Sequence, residues 1–157
     1  GQGKSTESYL DTLTAVFMEC HRVLRGEGLL IFTFHHGTAE AWDVLARALD
    51  EAGFSIRRIW PVYAEMDVGV PVMGKQSVKY DAVLVCRKRG EAVASTMVDT
   101  LQALASQVAG ETRSLVAMLA EVGDLSEADQ RNLSWAVAAM MYTQHQTRLL
   151  PSALEGI

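Results

Sequence analysis

The sequence predicts an α/β fold in two parts: a small sheet with its helices over residues 1–89, and an all-helical tail over 90–157. Three observations carry this reading. β-branched and aromatic runs bounded by turn residues dominate before Arg89-Gly90, and alanine-rich periodicity at three- and four-residue steps follows it. Charge changes at the same place: residues 1–90 hold 11 basic and 11 acidic side chains and 91–157 hold 3 and 8, so the net charge of −5 lies in the tail. The length, 157 residues at 49% hydrophobic, suits one compact domain or slightly more. With no internal repeat and no Pro- or Ser-rich linker, the two parts are expected to pack against each other.

Each element has its own signal. Tyr9, Leu10, Leu13, Val16, Phe17, Cys20, Val23 and Leu24 form the stripe of an amphipathic helix, with Ser8 and Asp11 able to cap its start and Gly26 its end. The run 28–34, Gly-Leu-Leu-Ile-Phe-Thr-Phe, suits a strand covered on both faces. Thr38 opens a second helix with Trp42, Leu45, Leu49 and Ala52 on one face, ending at Gly53. Residues 54–62 and 78–86 read as two further strands, the latter with Ala82 to Cys86 as its buried half. A strand–helix–strand unit followed directly by a strand suits a parallel crossover and then an antiparallel return, a mixed sheet. In the tail, a helix is expected over 92–108, broken by Gly110. A second carries Leu115, Met118, Leu119 and Val122 up to Gly123, and a third opens at Ser126-Glu127-Ala128-Asp129 and carries Leu133, Val137, Met140 and Met141. Trp42 and Trp60 lie on apolar stripes and are expected in the core, whereas Trp135 is a candidate for an interface.

Several classes are excluded. A chain with 14 basic against 19 acidic residues is not a DNA-coating protein, so any nucleic-acid contact rests on a local patch. No apolar run approaches the ~20 residues of a membrane helix, and no charged-then-apolar leader is present, so a cytoplasmic location is expected. Cys20 and Cys86 stand far apart in apolar surroundings without metal-ligand spacing and read as buried free thiols.

A resemblance narrows the reading. Glu19-Cys20-His21-Arg22-Val23-Leu24-Arg25-Gly26-Glu27-Gly28-Leu29-Leu30-Ile31-Phe32 resembles the passage from helix through glycine turn to apolar strand in Rossmann-like methyltransferases that use S-adenosylmethionine. The continuation is narrower: Phe32-Thr33-Phe34-His35-His36, Glu40-Ala41-Trp42, Ile59-Trp60-Pro61-Val62 with Glu65-Met66, Gly74-Lys75, and Tyr80-Asp81-Ala82-Val83-Leu84-Val85-Cys86-Arg87-Lys88. Together these resemble the C-terminal part of the prokaryotic adenine-specific DNA methyltransferases, over residues 8–89 and more weakly over 125–146. The resemblance implies a seven-stranded sheet in which the strands at 28–34, 54–62 and 77–87 are the fifth, sixth and seventh, the last inserted antiparallel between its neighbours.

That family binds its cofactor on a glycine-rich loop after the first strand and grips adenine's amino group with an Asp/Asn-Pro-Pro-aromatic motif after the fourth. Neither occurs here, since Pro61, Pro71 and Pro151 are isolated and no G-x-G follows a strand. The expectation is therefore a fragment of a DNA N6-adenine methyltransferase, inactive alone. S-adenosylmethionine would be the cofactor of the complete enzyme and DNA its partner, with no cofactor site in this chain. The alternatives are a methyltransferase fragment for a non-DNA substrate and a non-catalytic assembly module.

The candidate residues follow. His35 and His36 end a buried strand at its carboxyl edge, where open α/β sheets place ligands, and are substrate-side candidates; no third ligand is spaced to make them a metal site. Glu65 and Lys75 flank the loop that faces the substrate in the family. Arg57 and Arg58, with Arg87, Lys88 and neighbouring Arg89, are candidates for contact with a DNA backbone. The strand at 28–34 carries no charge that would blunt an open edge. That edge is expected to be covered, by a second copy in a homodimer or by the folded-back tail.

Overall fold

The computed structural model describes residues 2–64, 78–90, 97–119 and 125–156. In chain order these form α1 (Gln2–Val23), β1 (Leu30–Phe34), α2 (Ala39–Glu51), β2 (Phe54–Tyr63), β3 (Tyr80–Lys88), α3 (Leu101–Met118), α4 (Glu127–Thr143) and a short 3₁₀ turn (Pro151–Leu154). The fold is mixed α/β. The sheet order is β1-β3-β2, and both outer strands pair antiparallel with β3, from Leu30↔Cys86 to Phe34↔Ala82 on one side and from Phe54↔Lys88 to Tyr63↔Tyr80 on the other. β1 and β2 therefore run in the same sense, joined through α2, but β3 lies between them, so the sheet of the described residues is wholly antiparallel and not the expected mixed one.

Alternation along β3 decides which face is covered. Tyr80, Ala82, Leu84 and Cys86 are buried while Val83 and Val85 are only half-buried. On the buried side, Trp42, Leu45 and Leu49 of α2, Leu10 and Phe17 of α1, Leu104 and Val108 of α3, and Ala136 and Val137 of α4 join Phe54, Ile56 and Leu84 in one core. The tail and the sheet part thus share a single core. Trp135, a candidate for an interface, is 5% exposed and belongs to that core.

The other face differs from the expectation of a strand covered on both sides. Ile31 is 55% exposed, Trp60 48% and Val62 38%, so β1's second face is open and Trp60 is not a core residue. The described helices pack on one face, and period-2 alternation sends these side chains to the other. β1 also keeps one edge unpaired among the described residues. The tail does not cover it: α4 lies against α2 and β2. The end of α4 meets β2 beside a register shift between Ile56 and Arg58. The Ile56 N–H donates to Thr143 Oγ1 at 2.9 Å, and its carbonyl accepts from Gln144 Nε2 at 2.7 Å, so the end of α4 satisfies the backbone groups that β2 leaves free.

Two helices depart from their expected bounds. α1 starts at Gln2, and Ser8 is no cap but an interior residue whose carbonyl accepts from Thr12 Oγ1 at 2.8 Å. Its buried side is Leu10 and Phe17, leaving Tyr9, Val16 and Val23 exposed at seven-residue spacing. α3 runs through Gly110, whose cost of about 1 kcal/mol is outweighed by the helix formers on either side. It starts after Thr100, which caps it by accepting from Ala103 N–H at 3.3 Å. The expected start at Ala92 and the close at Gly123 lie outside the described residues. α4 opens at Ser126 with the expected reciprocal capping box to Asp129.

The cysteines are both free; Cys20 is half-buried, not buried as expected, while Cys86 is fully buried in β3. Burial pushes the Cys86 thiol up to about 12. Cys20 is therefore expected to react with an alkylating reagent at pH 8 while Cys86 reacts only at the rate of unfolding, measured by mass spectrometry with and without denaturant. Because the folded state holds the Cys86 proton more tightly than the unfolded state, stability is expected to fall as pH rises above about 9, by at most ~1.4 kcal/mol per pH unit. Equal labelling of both thiols in the native protein would contradict this.

Candidate functional site

The carboxyl end of β1 and the start of β3 meet at one end of the sheet, and α4's first turns close over them. His35 follows the last ladder pair, Phe34↔Ala82, and its Nδ1 pairs with Asp81 Oδ1 across the strands. By alternation this pair stands on the open face with Thr33 and Val83. His36 turns to the helix side, where it lines a cleft of about 330 Å³ with Phe34, Tyr9, Thr38, Glu40 and Val44. The two histidines, adjacent in sequence, occupy different surroundings.

Their hydrogen bonds set different proton positions. His36 Nδ1 lies 3.2 Å from Thr38 N–H, a group that only donates, and 3.1 Å from Thr38 Oγ1. Nδ1 is therefore the acceptor, and the neutral ring carries its proton on Nε2. A carboxylate only accepts, so in the neutral form of His35 the proton beside Asp81 stands on Nδ1 and Nε2 is left as the acceptor. His36 Nδ1 also serves the first turn of α2, where Thr38's own side chain makes no cap bond.

Two side chains of α4 hold this end in place, and both are fully buried. Asn132 Oδ1 accepts from His36 N–H at 3.2 Å and from Trp42 Nε1–H at 3.1 Å, and its Nδ2 donates to the Tyr80 carbonyl at 3.4 Å. Asp129 Oδ1 accepts from Lys79 N–H at 2.7 Å and Tyr80 N–H at 3.1 Å, while Oδ2 accepts from Ser126 N–H and Oγ. The backbone on both sides of the His35–Asp81 pair is thus tied to one helix.

The basic candidates lie elsewhere. Arg87 and Lys88 stand at the far end of β3, six or seven residues from Asp81, about 20 Å along the sheet. Arg87 Nη1 donates to the Glu27 carbonyl at 3.2 Å, and Arg89 is held by Asp50 Oδ1 and by the Asp50 and Phe54 carbonyls. Arg58 is exposed on the open face opposite Val85, and Arg57 is exposed at the bulge, bordering a separate hollow with Glu111 and Gln144. These residues do not join the histidines in one site. Glu65 and Lys75 lie outside the described residues.

Sequence reasoning passed over Asp81, Asn132 and the second task of Asp129. An acidic residue opening an otherwise apolar strand, as Asp81 does, was the available signal. His145, assigned nothing from sequence, adopts a positive φ of 57° and pairs through Nε2 with Asp50 Oδ1 at 2.7 Å. Among the described residues no helix is long and apolar enough to cross a membrane. Comparisons with protein-family models, curated proteins and solved structures find no match.

Proposed function

We propose that the chain is the C-terminal part of a DNA N6-adenine methyltransferase, which transfers a methyl group from S-adenosylmethionine to adenine, and that His35 and His36 stand on its substrate side. The observation that carries the reading is the strand order β1-β3-β2 with β3 reversed between two strands of the same sense. It is the order that the resemblance assigns to the fifth, seventh and sixth strands. The histidines stand at the carboxyl end of β1, the side on which open α/β sheets bind ligands. Adenine's amine is a poor nucleophile hidden in the duplex, so the reaction needs a flipped base and a positioned donor, and this chain supplies one wall of such a site.

The test uses the complete polypeptide, with the glycine-rich loop and the Pro-Pro motif upstream. Labelled methyl transfer to duplex DNA is expected. The double variant His35→Ala/His36→Ala is expected to lower kcat by about tenfold or more, the loss of one or two hydrogen bonds to substrate, with cofactor affinity unchanged. The 157-residue chain alone is expected not to bind S-adenosylmethionine. No methyl transfer by the complete polypeptide, or micromolar cofactor binding by this chain in calorimetry, would overturn the reading.

The open face favours a second reading, an assembly module. Ile31, Trp60, Val62 and the unpaired edge of β1 form an apolar surface of the kind that marks association. A homodimer of the isolated chain is the expected form on this reading. Light scattering that gives a monomer at high micromolar concentration would remove it.

A further inference from the structure

The two histidines are not equivalent, and the difference has a chemical use. His35 is half-exposed, with its side chain 50% accessible, while its partner Asp81 is recessed at 21%. Nδ1 is turned to the recessed carboxylate, so the ring nitrogen free to meet a ligand is Nε2. Among the described residues nothing bonds His35 Nε2. Many surface pairs of this kind are loose contacts between two mobile side chains, worth little and easily exchanged. This pair differs because both backbones are fixed. On the His35 side, Phe34 is in the ladder and the His36 N–H is held by buried Asn132. On the Asp81 side, the Tyr80 N–H is held by buried Asp129, the Tyr80 carbonyl by Asn132, and Ala82 is in the ladder.

We infer that His35 and Asp81 form a hydrogen-bond-accepting dyad, in which Asp81 holds the Nδ1–H tautomer so that His35 Nε2 receives an N–H donor of the kind carried by the exocyclic amine of a nucleobase. Asp81 is a positioning residue in this arrangement, and Asn132 and Asp129 set where it stands. The ligand class rests on the methyltransferase reading; the tautomer does not. His36 supplies the contrast. Its Nδ1 is occupied by Thr38, so its other nitrogen, Nε2, donates and would repel the same amine. Of the two, only His35 matches an amino group.

The tautomers are read by long-range ¹H–¹⁵N correlation of the 157-residue chain labelled at histidine, at pH 8. His35 is expected with its proton on Nδ1 and His36 with its proton on Nε2. Asp81→Asn is expected to move His35 toward the Nε2–H form while His36 keeps its pattern, a change that a merely structural role would not produce. Adenosine at millimolar concentration is expected to shift the His35 Nε2 resonance, and purine riboside, which lacks the amino group, to leave it in place. His35 found as Nε2–H in the unsubstituted chain would overturn the dyad, even if Asp81→Asn failed to fold. Equal responses to the two nucleosides, or none, would overturn the ligand class. Failure of the methyltransferase reading would appear separately, as no methyl transfer by the complete polypeptide, and would leave the tautomers as measured.

Discussion

Replacing Asp129 with alanine is expected to destabilise the protein by about 2.5–5 kcal/mol, from two effects on different elements. The first is at β3. Lys79 and Tyr80 N–H both point to Asp129 Oδ1, at 2.7 and 3.1 Å, where Asp129 and Tyr80 are buried and Lys79 is exposed. The buried Tyr80 N–H left without this acceptor costs about 1–3 kcal/mol, and the Lys79 N–H, on an exposed residue, about 0.5–1 kcal/mol. The second is at α4, where the capping box between Ser126 and Asp129 opens, at about 1 kcal/mol. Asp129→Asn keeps one acceptor oxygen and is expected to cost less than the alanine change. Urea denaturation monitored by tryptophan fluorescence measures both. A loss below about 1 kcal/mol for the alanine variant would mean that α4 does not anchor β3, and with it the fixed geometry assigned to Asp81 would go.

The double duty of Asp129 shows where sequence reasoning stops. Its cap was legible because a cap is local: Ser126 and Asp129 stand three residues apart, and the pattern needs nothing else. Its bonds to Lys79 and Tyr80 span about fifty residues, and no local pattern encodes them. The strands show the same division. Their positions were readable from apolar runs, but the open second face of β1 was not, because Ile31 is apolar whether or not a helix covers it. Trp60 was misplaced for the same reason. At the site, His35 and His36 were visible as polar residues ending an apolar strand, whereas their opposite tautomers depend on Asp81 and Thr38, one of them 46 residues away. Gly110 shows the converse, a strong local signal overridden by the helix formers around it.

Trp42→Ala is expected to cost about 3–5 kcal/mol, the range for emptying a large buried aromatic site. Trp42 is wholly buried, meets Phe34 edge-to-face with ring centroids 4.7 Å apart, and donates to Asn132 at 3.1 Å. Its removal leaves a cavity between α2 and the end of β1 and takes from Asn132 one of its two donors. Trp42→Phe separates these losses: it keeps an aromatic ring and removes only the N–H, and about 1–2 kcal/mol is expected. Pairing Trp42→Phe with Asn132→Ala in a double-mutant cycle isolates the bond itself, with a coupling of about 0.5–3 kcal/mol expected. The consequence for the site follows from the remaining donor. Asn132 also holds the His36 N–H, so if the three groups act as one network, amide exchange at His36 quickens in Asn132→Ala and also in Trp42→Phe, although Trp42 does not touch that amide. Exchange at His36 that quickens only in Asn132→Ala would reduce Trp42 to a packing residue. Exchange that quickens in neither would show that the strand end is held by the β1–β3 ladder alone, leaving α4 no part in setting where the histidines stand.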